Sequence, residues 1–195
     1  MRATGQATLR AFLALDFDEE TLQALDAYLR RLHAMPWAGE IRWVSPNNLH
    51  LTLRFLGNVT PTQAERYAEA FGAGRTQIAD LAALTLSMTP PRFFPTSSRP
   101  RAIACLVEDH PTLSELAKLA ETCAVQIGLS REVRPFKGHI TLGRMRDALP
   151  HNAALPRDEA VMVIRPTAIT LYQSRLDPRG AIYTALRSFS LASHL

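Results

Sequence analysis

The stretch His50-Leu51-Thr52-Leu53 and its repeat, His139-Ile140-Thr141-Leu142, decide how the rest of the chain is interpreted. Each copy places one apolar residue between a histidine and a threonine. Because side chains alternate between the two faces of a β-strand, each copy would bury its aliphatic residues and present its histidine and threonine together. If the two strands border one cleft, two imidazoles and two hydroxyl groups meet in it.

Length and composition predict a globular protein. The 195 residues are 47% hydrophobic and 21% charged, which suits one two-lobed domain over residues 1–195, with residues 1–7 outside its packed part. No apolar run approaches the roughly 18 residues that span a bilayer, and the N-terminus lacks a signal-peptide core. We therefore expect a soluble, cytoplasmic protein with no membrane partner. Two cysteines, Cys105 and Cys123, are too few for a disulfide framework or a metal cluster.

The basic residues are unusual in kind rather than in number. The formal net charge is +4, and of the 22 basic residues only Lys118 and Lys137 are lysines. The planar fork of arginine suits phosphate oxygens, which permits a phosphate-bearing partner such as RNA. A genome that favours arginine codons explains the same composition, so charge alone does not decide between the two.

The order of predicted elements repeats on either side of a proline-rich loop over residues 89–100. Each side has a strand, a helix and a histidine-bearing strand. This order predicts an α+β fold with two lobes, mostly antiparallel sheets, flanking helices and a central cleft, related by an internal pseudo-twofold duplication. The predicted strands cover residues 8–17, 84–88, 102–107, 131–143 and 161–165, and the predicted hairpins cover residues 42–55 and 169–189. Three helices are predicted. The first begins at Asp18, the second begins at the capping box Thr60-Pro61-Thr62-Gln63 and ends near Phe71, and the third begins at His110 and ends at Gly128.

Two histidines can supply an acid and a base at once, because imidazole titrates near neutrality. One takes a proton from an attacking oxygen, the other protonates the oxygen that leaves from the opposite side of phosphorus, and threonine hydroxyls hold the nonbridging oxygens. The residues alone leave open which of His50 and His139 is the acid. A half-exposed strand face explains one copy of the motif, but two copies at equivalent places favour catalysis. A metal site is the rival hypothesis, and the companion ligands at familiar spacing that it needs are missing.

Alternation also predicts which neighbours join the histidines. Arg54 falls on the face of the first histidine, where it either contacts substrate or is solvated, while Phe55 falls on the core face. Phe93 and Phe94, in the proline-rich loop, either stack on a base or pin the loop to the core.

Four stretches of the chain match the pattern of a known family. They are Leu13-Ala14-Leu15-Asp16, Arg42-Trp43-Val44 with Asn48 to Gly57, Arg134-Pro135-Phe136 with His139 to Leu142, and Leu171-Tyr172-Gln173-Ser174. In these residues the chain resembles the two-histidine phosphoesterase superfamily, and within it the bacterial and archaeal RNA 2′,3′-cyclic phosphodiesterases, also called 2′-5′ RNA ligases. The resemblance covers essentially the whole chain and implies a bilobal α+β fold with both motifs in the cleft.

The resemblance implies an enzyme that needs no metal and no cofactor. Such enzymes open 2′,3′-cyclic phosphates of RNA or nucleotides to 2′-phosphates, and can join tRNA halves through a 2′-5′ linkage. By position, His50 is the proton donor to the departing 3′ oxygen and His139 is the proton acceptor that activates water. Thr52 and Thr141 would hold the phosphate.

The resemblance also implies further substrate contacts. Arg134, Phe136 and Lys137, which precede the second motif, are candidates for phosphate or base contacts together with Arg54, although Phe136 is equally a candidate core residue. Related chains often carry proline where this one has Gly138, and glycine loosens the approach to the strand. We expect a monomer whose partners are RNA ends or nucleotides. The alternative function is an RNA-end binding protein in which the motifs recognise phosphate and turnover is incidental.

Overall fold

A computed structural model describes residues 7–79, 81–146, 153–156, 161–178 and 180–191. Residues 1–7 were predicted to lie outside the packed part of the protein, and of these residues 1–6 are outside the described ranges. The helices are α1 (Glu19–His33), α2 (Pro61–Arg75) and α3 (Pro111–Gln126). The strands are β1 (Leu9–Phe17), β2 (Ile41–Trp43), β3 (Leu51–Val59), β4 (Leu86–Met88), β5 (Arg92–Phe94), β6 (Ala102–Leu106), β7 (His139–Met145), β8 (Met162–Ile164), β9 (Pro166–Asp177) and β10 (Gly180–Ser190). In the described part of the chain, no helix has the length and apolar character needed to cross a membrane.

The strands form two antiparallel sheets, which confirms the predicted α+β class. In the larger sheet the order is β10-β9-β1-β3-β7-β6-β5, with β2 also beside β7, and the smaller sheet pairs β4 with β8. The larger sheet consists of two halves that meet where β3 pairs with β7. Across that junction the described register is a single pair, Leu51 opposite Ile140. The two motif strands therefore join the halves.

Side-chain caps fix the first turns of two helices, as the sequence predicts. Asp18 Oδ1 accepts a hydrogen bond from the Thr21 backbone N–H at 2.9 Å before α1. Thr60 and Gln63 exchange the two reciprocal bonds of a capping box before α2. Both arrangements satisfy N–H groups that a helix leaves unpaired in its first turn.

The second helix runs beyond its predicted end near Phe71. Gly72 and Gly74, which in the sequence suggest the end of this helix, lie within it. A Cβ at Gly72 would lie 2.9 Å from Phe189 Cε1 of β10, and one at Gly74 would lie 2.6 Å from Leu119 Cδ1 of α3. The glycines thus allow close packing, which outweighs their low helix propensity.

Three strand predictions are wrong in detail. β5 lies within the stretch predicted as a loop, where three residues are too few to show periodicity, and it pairs with β6. The second motif strand begins at His139 rather than near residue 131. β2 pairs with β7 and not with β3, so His50 is not presented by a hairpin. Close approach of β2 is possible because Gly143 of β7 has no side chain.

Replacing Gly143 with alanine is expected to destabilise the fold by about 1–3 kcal/mol, the usual cost of overpacking. The added Cβ would lie 2.4 Å from Ile41 Cγ2 and 2.9 Å from Trp43 Cε3, so β2 would have to move. Gly39→Ala is the control, because a Cβ there meets no described atom within 4 Å. Urea unfolding compares the variants, and wild-type stability of Gly143→Ala would contradict this packing.

The larger sheet separates a core face from a second face, which we call the cleft face. Alternate residues of β1 pack into the hydrophobic core with the helices; they are Ala11, Leu13, Leu15 and Phe17. Phe12, Ala14 and Asp16 point the other way, onto the cleft face.

Candidate active site

The two motifs lie side by side on the cleft face. Leu51 and Ile140, which are directly opposite each other, are both completely buried in the core. Continuing this antiparallel register by one residue in each direction sets each histidine opposite the threonine of the other motif. Directly opposite side chains share a face, so the four predicted residues are brought together. The pairs are His50 with Thr141 and Thr52 with His139.

Both imidazoles are held in the same way. His50 Nδ1 lies 2.7 Å from the carbonyl oxygen of Asn48, and His139 Nδ1 lies 2.8 Å from that of Lys137. A carbonyl oxygen only accepts hydrogen bonds, so in each neutral ring Nδ1 carries the proton and Nε2 keeps a lone pair. His50 Nε2 is also 3.1 Å from Thr52 Oγ1. Nε2 is therefore the nitrogen that each ring offers for chemistry.

A phenylalanine ring lies against each imidazole. The ring centroid of Phe12 is 4.8 Å from that of His50, and the centroid of Phe94 is 4.5 Å from that of His139. Phe93, by contrast, packs against the hydrophobic core. The two phenylalanines of the proline-rich stretch thus have different surroundings, and Phe94 belongs to the site.

A β-bulge at Leu53 changes the predicted position of Arg54. The consecutive β1 residues Ala14 and Leu13 are opposite Thr52 and Arg54, so Leu53 is an extra residue in β3. The bulge reverses the alternation, which puts Arg54 on the core face beside Leu13. The prediction that Arg54 shares the face of the first histidine is therefore wrong.

Arg54 joins β3 to α3 and to the segment that follows it. Its Nε lies 2.6 Å from Glu121 Oε2, and its Nη2 donates a hydrogen bond to the Ser130 carbonyl oxygen at 2.8 Å. Phe55, predicted to be buried in the core, lies instead on the cleft face opposite Phe12 and is 41% exposed. The bulge therefore exchanges the predicted faces of an arginine and a phenylalanine.

The second motif strand has the same bulge. The consecutive β6 residues Ala104 and Ile103 are opposite Thr141 and Gly143, so one residue is extra at the leucine between them. Arg144, which simple alternation puts on the core face, therefore lies on the cleft face. The sequence does hold one indication of this bulge, because an isolated glycine within a strand pattern often marks one.

Phe55 and Arg144 occupy equivalent positions, three residues after the threonine of each motif. Phe55 is opposite Phe12, whose ring also lies 5.4 Å from Tyr172 and 4.9 Å from Tyr183. Arg144 is opposite a small residue of β6 instead. The pseudo-twofold repeat thus places a phenylalanine at the first of these positions and, at the second, an arginine whose charge acts on both histidines.

Burial and nearby positive charge favour the neutral form of both histidines. Burial lowers the pKa of His50 from 6.5 to about 4; the Asn48 carbonyl opposes this change, whereas the charges of Arg144 and His139 add to it. Burial also lowers the pKa of His139, again with a contribution from Arg144. At pH 7 both rings are therefore neutral in the free protein, and a bound anion would favour their protonation.

A half-buried carboxylate lies on the cleft face near the aromatic rings. Asp16 Oδ1 accepts a hydrogen bond from the Tyr172 hydroxyl at 2.9 Å, and Oδ2 accepts one from Thr170 Oγ1 at 2.6 Å. Burial raises the pKa of Asp16, and these hydrogen bonds oppose that change. Asp16 thus fixes the ring of Tyr172 against Phe12, which in turn packs against His50.

The remaining substrate-contact candidates lie in the segment before β7. Arg134 pairs with Glu132, Nε to Oε1 at 3.1 Å, and Phe136 is 40% exposed. Lys137 gives its carbonyl oxygen to His139, and its charge contributes to the lowered pKa of that ring. Contacts of these three side chains with substrate stay predictions.

Gly138 lies in a tight contact rather than a loose one. Its carbonyl oxygen accepts a hydrogen bond from the Val107 backbone N–H at 2.9 Å. A Cβ on it would lie 3.3 Å from both Leu113 Cδ2 and Val107 Cβ. Packing on both sides thus counteracts the loosening expected from glycine.

The arrangement suits acid–base chemistry on an anion. Two Nε2 atoms can each hold or accept a proton, two hydroxyl groups can donate hydrogen bonds, and one guanidinium lies beside them. Among the described residues, no group of three or more histidine, cysteine, aspartate or glutamate side chains could hold a metal ion.

Relatives of the chain match nearly its whole length. A family model described as LigT like Phosphoesterase matches residues 15–92. The RNA 2′,3′-cyclic phosphodiesterase of Archaeoglobus fulgidus is 29% identical over 184 residues, which are 93% of this chain and 99% of that protein. The Escherichia coli protein of the same name is 31% identical over 191 residues, which are 93% of this chain and 96% of that protein.

Solved structures share the fold. The crystal structure of TT0787 from Thermus thermophilus aligns with 96% of this chain and 100% of its own, with a TM-score of 0.77 and 26% identity. Escherichia coli LigT complexed with 3′-AMP aligns over the same shares, with a TM-score of 0.67 and 26% identity. Together with a paired histidine–threonine site in the cleft, these similarities show that the chain belongs to the LigT-like phosphoesterase family.

Proposed function

We propose that this protein hydrolyses 2′,3′-cyclic phosphates, on RNA ends or nucleotides, to 2′-phosphates, with imidazoles rather than a metal supplying the proton transfers. The β3–β7 register supports this most, because it sets each histidine opposite the threonine of the other motif. Relatives named RNA 2′,3′-cyclic phosphodiesterase support the substrate class. The proposal includes a monomeric, cytoplasmic enzyme.

The proposed reaction is a single in-line displacement. His139 Nε2 takes a proton from water as the water oxygen bonds to phosphorus. The bond from phosphorus to the 3′ oxygen breaks on the opposite side, and the Nε2 proton of a His50 imidazolium moves to that oxygen. A 2′-phosphate and a free 3′ hydroxyl remain, and solvent restores both imidazoles. The assignment of acid and base follows the family resemblance.

The substrate itself would supply the charge that this mechanism requires. A phosphate anion in the cleft favours the imidazolium form of His50, whose pKa burial otherwise holds near 4. Thr52 and Thr141 hydroxyls would donate to the nonbridging oxygens, and Arg144 would add a positive charge as negative charge builds up on them.

The nucleoside would lie on the His50 side of the phosphorus, because the 3′ oxygen that His50 protonates belongs to it. The rings of Phe55 and Tyr183, both packed against the buried ring of Phe12, are on that side. An aromatic face stacks on any base, which suits an enzyme that acts on RNA ends of varied sequence.

Turnover of adenosine 2′,3′-cyclic phosphate with EDTA present tests the proposal. We expect full activity and a 2′-phosphate product by phosphorus NMR, and turnover roughly 10³-fold slower by the double variant His50→Ala/His139→Ala prepared in parallel. Activity lost to the chelator would contradict the metal-free step, and a 3′-phosphate product would contradict the leaving group. Salt-dependent RNA binding without hydrolysis would favour the alternative, an RNA-end binding protein.

Arg144→Gln is expected to lower kcat/KM about 10- to 100-fold, the range for one charge-assisted hydrogen bond. It should also raise the pKa of both histidines, since the charge of Arg144 lowers both. Proton NMR titration of the imidazole rings measures the second effect, which a loss of packing alone would not produce. Arg66→Gln, on the exposed surface of α2, is the charge-matched control. Unchanged pKa values in Arg144→Gln would contradict its place beside the two rings.

A further inference from the structure

Asn48 connects His50 to a strand that is distant in sequence. It ends the short 3₁₀ helix Pro46–Asn48, and its backbone N–H donates a hydrogen bond to the Ser45 carbonyl oxygen at 2.8 Å. Its own carbonyl oxygen holds His50 Nδ1. Its side-chain Nδ2 donates to the Ala181 carbonyl oxygen of β10 at 2.8 Å. Because a carbonyl oxygen only accepts hydrogen bonds, it is the NH₂ group of the amide that faces Ala181.

The larger sheet has to curl for Asn48 to reach β10. Strands β9 and β1 lie between β10 and β3, so in a flat sheet β10 would be about 14 Å from β3, three strand spacings. Asn48 lies just before β3. Its direct hydrogen bond to β10 therefore shows that the sheet coils and brings the beginning of β10 over the cleft face. We call residues 180–183 of β10 the covering segment.

The covering segment closes one side of the His50 ring. The ring centroid of its Tyr183 lies 5.4 Å from that of His50, and the two planes are nearly perpendicular, at 82°. Phe12 lies against the same imidazole at 4.8 Å, and Tyr183 also contacts Phe12 at 4.9 Å. His50 is therefore enclosed between residues of β1 and β10.

Enclosure by uncharged rings keeps water from the imidazole. Burial is the largest cause of the lowered pKa of His50, ahead of the charges of Arg144 and His139 on β7. Tyr183 adds no charge, because burial raises the pKa of its hydroxyl, although Arg144 and Arg10 oppose this change. Moving the covering segment away should therefore change the solvation of His50 and leave the charges around it in place.

The neighbouring asparagine lacks such a contact. Asn47 belongs to the same 3₁₀ helix, is exposed, and forms no hydrogen bond with any described residue. The link to the covering segment is thus specific to the side chain of Asn48. Asn47 provides a control of the same residue type next to it.

We propose that Asn48 is a positioning residue for the proton donor and acts through two separate contacts. Its carbonyl oxygen fixes the orientation of the His50 ring, and its side-chain amide holds the covering segment against that ring. Asn48 acts through His50 rather than on the reacting atoms, because it keeps Nε2 directed at the 3′ oxygen and shielded from water. This inference rests on the proposed cyclic-phosphate chemistry, in which His50 protonates that oxygen.

Proton NMR titration of the imidazole rings tests the amide contact without any turnover. Asn48→Ala keeps the backbone carbonyl and removes only the side-chain contact. The covering segment should then move away, and the pKa of His50 should rise from about 4 towards 6.5. The pKa of His139, which packs against Phe94 instead, should change little and is the internal control. Asn47→Ala, the matched control, should leave both pKa values unchanged.

Tyr183→Ala tests whether Asn48 acts through the covering segment. This variant removes the ring that lies over His50, so it should also raise the pKa of His50. Adding Asn48→Ala to it should raise that pKa little further, because two changes that act through one contact are not additive. Urea unfolding establishes that the variants fold. Additive changes, or a wild-type pKa of His50 in Asn48→Ala, would overturn the inference.

Kinetics with two leaving groups separates a positioning role from a merely structural one. With adenosine 2′,3′-cyclic phosphate, Asn48→Ala should lower kcat about tenfold, the order of one hydrogen bond. With a nucleoside nitrophenyl phosphodiester, whose leaving group departs without a proton, kcat should stay within about twofold of wild type. Equal losses with both substrates would overturn the inference. Absence of cyclic-nucleotide turnover by the wild type would instead overturn the proposed function, and the pKa of His50 would still decide whether Asn48 holds the covering segment.

Discussion

Replacing either His50 or His139 with alanine is expected to lower kcat/KM for a 2′,3′-cyclic nucleotide roughly 10³-fold, within the range for loss of one general acid or base. Their Nδ1 atoms are fixed by backbone carbonyls at 2.7 and 2.8 Å, so each ring has one nitrogen, Nε2, for proton transfer. The double variant should have a kcat/KM only a little lower than that of either single variant, because the two groups act in one step.

Steady-state kinetics with the cyclic mononucleotide measures these losses. His33→Ala is the matched control, because His33 packs edge-on against Trp43, 4.7 Å between ring centroids, away from the cleft face. Circular dichroism and urea unfolding establish that the variants fold. If either single variant keeps most of the wild-type activity, the paired mechanism is wrong.

Acidification from pH 7 to pH 4 is expected to remove roughly 3 kcal/mol of folding free energy at His50 alone. The pKa of His50 is lowered from 6.5 to about 4 in the folded protein. Between pH 6.5 and about pH 4, the imidazole of His50 is protonated in the unfolded chain but stays neutral in the folded protein. The folding free energy at stake is therefore fully present above about pH 6.5 and is lost as the pH falls towards 4. His139, whose pKa is also lowered, acts in the same direction.

Urea unfolding of the wild type and of His50→Gln at pH 7 and pH 4.5 isolates this effect, because other titrating groups are common to both proteins. The variant should lose less stability on acidification. In addition, a bound nucleoside 2′-phosphate should raise the pKa of His50 in the wild type, as the anion favours imidazolium. Identical pH dependence of the two proteins would contradict the burial of this ring.

The sequence was sufficient to predict the paired residues because they depend on local geometry. The alternation of a strand puts His50 and Thr52 on one face, and the repeat of the motif suggests a partner for each. The fold class followed from the order of elements, which the two antiparallel sheets confirm. Neither inference requires knowledge of which strand pairs with which.

The errors concern features that depend on a partner strand. Leu53 of β3 and Leu142 of β7 are extra residues with no partner in β1 or β6. Each bulge therefore moves the arginine that follows it, Arg54 or Arg144, to the face opposite the one that alternation predicts. The pairing of β2 with β7 depends on a glycine in a distant strand, Gly143. Alternation within one strand does not indicate which of its residues lacks a partner in the neighbouring strand.

The division of labour between the two imidazoles is tested most directly by the dependence on the leaving group. The 3′ oxygen of a cyclic nucleotide needs a proton as it departs, whereas nitrophenolate, a weak base, does not. With a nucleoside nitrophenyl phosphodiester as substrate, His50→Ala should lower kcat/KM only roughly tenfold or less. His139→Ala should lower kcat/KM about as much as it does with the cyclic nucleotide. Equal losses for both variants on the nitrophenyl ester, or a smaller loss for His139→Ala, would contradict His50 as the acid and His139 as the base.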